Sequence, residues 1–162
     1  MGPVFLAAAL LVHADVGFPV DEQVLIRESV RLLAAQTDGV VNVEVVFDFD
    51  FSPSTLIRLA GAPSLLRLDA LDPKIGLADG QFKMPVLGWT TAAYGRVFLV
   101  PSRLITDEIY EHVVMHEILH LLGVLHVEGD RWAILCPYAS ATRTLTFADR
   151  EAVRVLFPQL SP

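Results

Sequence analysis

A chain of 162 residues that is 53% hydrophobic and 19% charged can bury one substantial core, and it is too short for two comfortable domains. Its formal net charge of -7 arises from 19 acidic and 12 basic side chains, with no Lys/Arg cluster to neutralise a run of phosphates; this excludes nucleic acid as an expected partner. The only cysteine, Cys136, excludes an intramolecular disulfide and leaves the redox compartment open.

The longest apolar stretch, Val4 to Val12, falls well short of the roughly 20 residues a helix needs to span a bilayer, so no membrane span is expected. Two readings of this region stand side by side. It is the core of a signal peptide ending near Val12-His13-Ala14, although no Lys or Arg precedes it, or Leu10 to Phe18 is the first strand of the domain. Residues 1–14 are then either removed or built into the sheet.

Asp21 follows Pro19 as an N-cap, and Ile26, Val30 and Leu33 recur at helical spacing until Gly39 supplies a stop. From Val41 to Phe51, apolar residues alternate with Asn42, Glu44, Asp48 and Asp50, the period of a strand with one wet face. Asp48 and Asp50 could suggest calcium, but their alternation with phenylalanines favours a solvated strand face; calcium is possible and not indicated. Residues 52–83 read as loops around a short strand at Leu65 to Leu71.

Met84 to Thr91 and Arg96 to Pro101 predict a hairpin or two adjacent strands, with Gly95 in the turn. Thr106 caps a helix whose first turn carries Asp107 and Glu108, favourable at the positive end of the helix dipole. Thr146-Phe147-Ala148-Asp149 resembles a capping box and opens a closing helix that ends before Pro158.

The chemistry lies in the helix after Thr106, which reads His116-Glu117-Ile118-Leu119-His120-Leu121-Leu122-Gly123-Val124-Leu125-His126. Residues four apart share a helix face, so His116 and His120 can direct imidazoles at one ion, and Glu117 stands beside it as a base without being a ligand. A third ligand at position 126 requires the helix to stop. Gly123 permits the turn, with Leu125 folding inward and His126 closing the site from below. Three neutral imidazoles leave the fourth tetrahedral position to water, the coordination of a catalytic zinc. His112, one turn earlier on the same face, reads as a residue behind the ligands or at the surface. The helix is apolar nearly all the way round, which predicts burial on several sides.

This His-Glu-x-x-His-x-x-Gly-x-x-His run resembles the signature of the metzincin zinc peptidases. Ala133 to Tyr138 is similar to the Met-turn segment of the matrixin branch, and Leu145-Thr146-x-x-Asp149 to its C-terminal helix. The resemblance implies an α+β domain: a mixed twisted sheet with an N-terminal helix, a zinc-bearing helix and a C-terminal helix. It implies a zinc metalloendopeptidase with one catalytic ion, a monomer that binds protein or peptide substrate in extended form and is secreted or extracytoplasmic.

By the same resemblance, Gly88 and Trp89 lie on a substrate-binding edge, and Pro137 and Tyr138 wall the pocket for the side chain after the cleaved bond. The Met-turn methionine is missing, since the methionines are at 1, 84 and 115. Leu135 or Cys136 takes its place, Leu135 being the milder replacement. With Cys136 there, its thiol would approach the metal. Only His13 and His112 remain after the three ligands, too few for a histidine-rich second zinc site, and the lone cysteine follows the zinc helix, so an inhibitory propeptide cysteine is absent in its usual form. A zinc hydrolase acting on a non-protein amide and a non-catalytic zinc-pinned peptide-binding module are the rival readings.

Overall fold

A computed structural model describes residues 9–50, 59, 61–69 and 72–160. The first strand, β1 (Leu10–Asp15), runs into helix α1 (Val20–Gln36) and returns as β2 (Val43–Phe49), which pairs with β1 in parallel. Leu10 to Asp15 therefore forms the first strand; most of the Val4 to Val12 stretch lies outside the described residues. Asp21 does not cap α1. The helix starts one residue before it, with Pro19 at the N-cap and no side-chain cap bond, so Asp21 and Glu22 occupy the first turn and favour the helix dipole instead.

β3 (Ser64–Arg67) adds in parallel to β1, and β5 (Arg96–Leu99) adds in parallel to β3. β4 (Gly88–Thr91) pairs antiparallel with β5, closing the order β2-β1-β3-β5-β4. This mixed five-stranded sheet leaves β4 as an edge. Helix α2 (Pro73–Phe82) occupies a stretch that the sequence reading assigned to loops. Gly76 and Gly80 lower its intrinsic helix propensity by about 1 kcal/mol each, which hides a helix whose Ile75 packs in one cluster with Trp89 and Phe98 of the sheet.

The zinc-motif helix α3 (Asp107–Leu121) packs beside α1, and α4 (Phe147–Leu156) ends the domain. The core combines Val12, Ala14 and Val45 of the sheet with Ile26 and Leu33 of α1 and Met115, Ile118 and Leu119 of α3. Each large apolar side chain so buried contributes roughly 1.5–3 kcal/mol. The predicted burial of α3 holds: Tyr110 to Met115 and Glu117 to Leu119 are buried. No described helix is long and apolar enough to cross a membrane.

Candidate metal centre

Thr106 caps α3 by accepting a hydrogen bond from the Ile109 amide, which fixes the start of the helix carrying His116 and His120. The helix ends at Leu121. The Gly123 amide bonds the His120 carbonyl, and Gly123 itself takes φ +93°, a left-handed conformation that any side chain would strain. The chain then doubles back, but Leu125 does not fold inward: it is 78% exposed on the cavity rim, and Val124 fills the core in its place. The turn delivers Val124 inward because its amide bonds the Leu119 carbonyl, leaving the next side chain to face out.

The three imidazoles meet. Nε2 of His116 lies 2.9 Å from Nε2 of His120 and 3.3 Å from Nε2 of His126. Tetrahedral zinc with bonds of about 2.0–2.1 Å spaces its nitrogen ligands about 3.3 Å apart. The tautomers point the same way. His116 Nδ1 donates to the Ile134 carbonyl at 2.7 Å and His120 Nδ1 to the Val124 carbonyl at 2.7 Å, so both rings carry their proton on Nδ1. Two Nε2 lone pairs then face each other at 2.9 Å with no proton to share, a repulsive arrangement that a cation between them relieves. The donor set fits a divalent, nitrogen-preferring metal such as zinc.

Desolvation favours the neutral form of these imidazoles. Desolvation lowers the pKa of all three rings, that of His116 to about 3. Glu117 moves the other way: burial raises its carboxyl to about 7, against the opposing Thr90 hydrogen bond. Thr90 Oγ1 lies 2.6 Å from Glu117 Oε2 and 3.0 Å from the Glu117 carbonyl, so β4 and α3 are joined at the acid itself. Sequence reasoning missed Thr90, because no local pattern ties it to a glutamate 27 residues further along the chain. Gly88 is needed for the same approach, because a Cβ there would lie 3.2 Å from Glu117 Cγ and 3.0 Å from the Phe98 carbonyl.

Replacing Thr90 with valine should lower kcat for any reaction that uses Glu117 by about 10-fold while leaving bound metal unchanged, and Thr90→Ser should restore most of it; steady-state kinetics with metal analysis checks this. Equal loss in valine and serine variants would argue against a hydroxyl role.

A cavity of about 780 Å³ holds Gly88, Trp89, Pro137 and Tyr138 together with the three histidines and Glu117. Trp89 also stacks on Phe98 with ring centroids 4.7 Å apart, so it packs against its neighbour strand as well as lining the cavity. Leu135 is fully buried in the core, while Cys136 forms part of the cavity wall without joining the three-nitrogen group. The backbone at Ile134 and Leu135 hangs from one anchor. The fully buried Asp149 carboxylate of α4 accepts the Ile134 amide at 2.8 Å, the Leu135 amide at 2.9 Å and the Thr146 amide at 2.8 Å. It thus fixes the carbonyl that orients His116, in addition to completing the expected capping box. Elsewhere, Asp48 of the strand's wet face pairs with His13 Nδ1 at 2.7 Å.

No protein-family model matches the chain, and no curated protein matches it. Among solved structures it is similar to the crystal structure of archaemetzincin from Methanopyrus kandleri. That match has a TM-score of 0.62 and 14% sequence identity, and covers 96% of this chain and 99% of the other. The likeness shows a shared fold, a single domain with a mixed five-stranded sheet and, among the described residues, four helices. The neighbour is an archaemetzincin, so the finer matrixin resemblance has no support from this comparison.

Proposed function

We propose that the chain is a zinc-dependent metalloendopeptidase in which His116, His120 and His126 hold the metal and Glu117 is the general base. The observation that carries this reading is the convergence of three Nε2 atoms beside a buried carboxyl in an open cavity. A structural zinc pin would have no use for a carboxyl raised to about 7 and hydrogen-bonded in place. The archaemetzincin fold supports the same class.

Bound zinc would supply Lewis acidity toward a water and a substrate carbonyl. The remaining work falls to the chain. Thr90 holds Glu117 Oε2, so Oε1 is the oxygen available to take a proton from the attacking water. As the water oxygen bonds the carbonyl carbon and the carbon–nitrogen bond breaks, Glu117 passes that proton to the departing amine. Among the described residues β4 is the outer strand on that side, and its edge can pair with an extended peptide backbone, with Gly88 and Trp89 lining the cavity wall. Pro137 and Tyr138 border the space for the side chain after the cleaved bond.

The zinc-loaded chain should cleave members of a broad peptide library, and a chelator should abolish the cleavage. Failure to cut any peptide or denatured protein while zinc is bound would overturn the reading and favour a non-protein substrate or a binding module.

A further inference from the structure

We propose that Asp79 and Arg103 close the peptide-binding edge of β4 at Val86, so that an extended substrate pairs through its main chain with Gly88 and Thr90 and with no residue before them. The inference rests on the peptidase reading for the nature of the ligand, and on the hydrogen bonds of the free chain for the length of the edge.

Register decides which groups of β4 are open. The antiparallel pairing sets Gly88 opposite Leu99 and Trp89 opposite Phe98, and the Val100 amide donates to the Leu87 carbonyl at 3.0 Å. Bonded and non-bonded positions alternate in an antiparallel pair, so Leu87, Trp89 and Thr91 turn their main-chain groups toward β5, while Val86, Gly88 and Thr90 turn theirs outward. Leu99 agrees, because its carbonyl accepts the Leu68 amide on the opposite side, just past β3, at 2.9 Å. Among the described residues no other strand or loop bonds the outward groups of Gly88 and Thr90.

Val86 has the same orientation and is closed. Asp79 Oδ1 accepts its amide at 2.8 Å, and Arg103 Nη1 donates to its carbonyl at 2.9 Å. The two side chains are themselves joined, Nη1 to Oδ1 at 2.8 Å and Nη2 to Oδ2 at 2.9 Å, a two-pronged pair of fixed geometry. A carboxylate and a guanidinium thus fill the acceptor and donor positions that a neighbouring strand would offer. The Arg103 side chain first, and the Val86 amide second, hold the Asp79 carboxyl down to about 2, so the pair stays charged at neutral pH. Further back, the Met84 amide donates to the Asp79 carbonyl at 3.2 Å, and Lys83 takes φ +57° as the chain turns out of α2. At the far end β4 gives way to the 3-10 turn Ala92–Tyr94, where the Ala92 carbonyl accepts the Gly95 amide at 3.1 Å.

The stop lies inside the cleft, since Val86 lines the metal cavity together with Gly88 and Thr90. An open strand edge pairs with any extended chain in any register. Closing it at Val86 confines a substrate to the short stretch that adjoins Glu117, which Thr90 bonds and Gly88 closely approaches.

Amide hydrogen exchange on the zinc-loaded chain tests this, with Glu117→Gln as the background so that an added peptide stays intact. Without peptide, Val86 should be protected and Gly88 and Thr90 should exchange freely. A saturating peptide should slow Gly88 and Thr90 by at least about 10-fold and leave Val86 unchanged. In Asp79→Ala the Val86 amide loses its acceptor; it should exchange freely alone and gain about the same protection as Gly88 when peptide is added. With the clamp intact, a Val86 amide that exchanges as fast as Gly88, or that peptide protects further, overturns the proposal. So does an Asp79→Ala chain whose Val86 amide ignores a peptide that protects Gly88. Should that variant fail to fold, the measurements on the intact clamp decide alone. If no peptide protects any residue of β4, the peptidase reading loses its substrate edge, and the rate at Val86 in the free chain still decides whether the clamp holds its amide.

Discussion

Replacing Glu117 with glutamine is expected to lower peptide hydrolysis by about 10²–10⁴-fold without loss of bound zinc, because the variant keeps the shape of the base and loses its proton affinity. Undiminished turnover in a metal-loaded variant would contradict the assigned role. The same substitution should have the opposite effect on the stability of the metal-free protein. The Glu117 carboxyl titrates near 7 in the fold and near 4.5 when free, so the unfolded chain releases its proton first as pH rises. Stability is therefore lost between about pH 4.5 and 7, and charging this group in its buried site costs roughly 3 kcal/mol above that window. Melts of the metal-free proteins should show Glu117→Gln more stable than wild type at pH 8 and equal to it at pH 4. A base placed for reaction rather than for stability gives this pattern.

The second large effect belongs to Asp149, which lies outside the three-histidine group. Its carboxylate collects the amides of Ile134, Leu135 and Thr146 in a fully buried position. Alanine there strands two buried donors and a part-buried third, with an expected loss of about 3–5 kcal/mol, or on the order of 10 °C in Tm for a domain of this size. Because the Ile134 carbonyl orients His116, zinc affinity should fall as well, by about 10–100-fold. Chemical denaturation and competition with a metal-binding dye measure the two losses. A variant that loses stability but keeps full zinc affinity would show that the Ile134 carbonyl is held by other means.

How far these features could be read from the sequence depends on whether their physics is local. The three-histidine cluster was legible because helical periodicity puts His116 and His120 on one face, and Gly123 announces the turn that brings in His126. The strand through Val43 to Phe49 and the box at Thr146 and Asp149 were legible for the same reason, as repeated or short-range patterns. Contacts across the chain were not. Thr90 meets Glu117 across 27 residues of sequence, and Asp149 meets Ile134 across 15, with no periodicity to mark either pair. Helix α2 was hidden by its two glycines, and Leu125 was placed inward because the turn geometry, not the sequence, decides which of two adjacent apolar residues faces the core. Trp89 illustrates the intermediate case: the edge strand was readable, whereas its stacking on Phe98 depends on the register of β4 with β5.

The central claim is that three imidazoles share one zinc and leave room for solvent. X-ray absorption at the zinc edge of the loaded protein examines it most directly. The account predicts one zinc per chain with three imidazole nitrogens and one light-atom ligand at about 2.0–2.1 Å, and loss of an imidazole in His126→Ala. A chain that retains no zinc, or a spectrum that requires sulfur or fewer than three histidines, would contradict it.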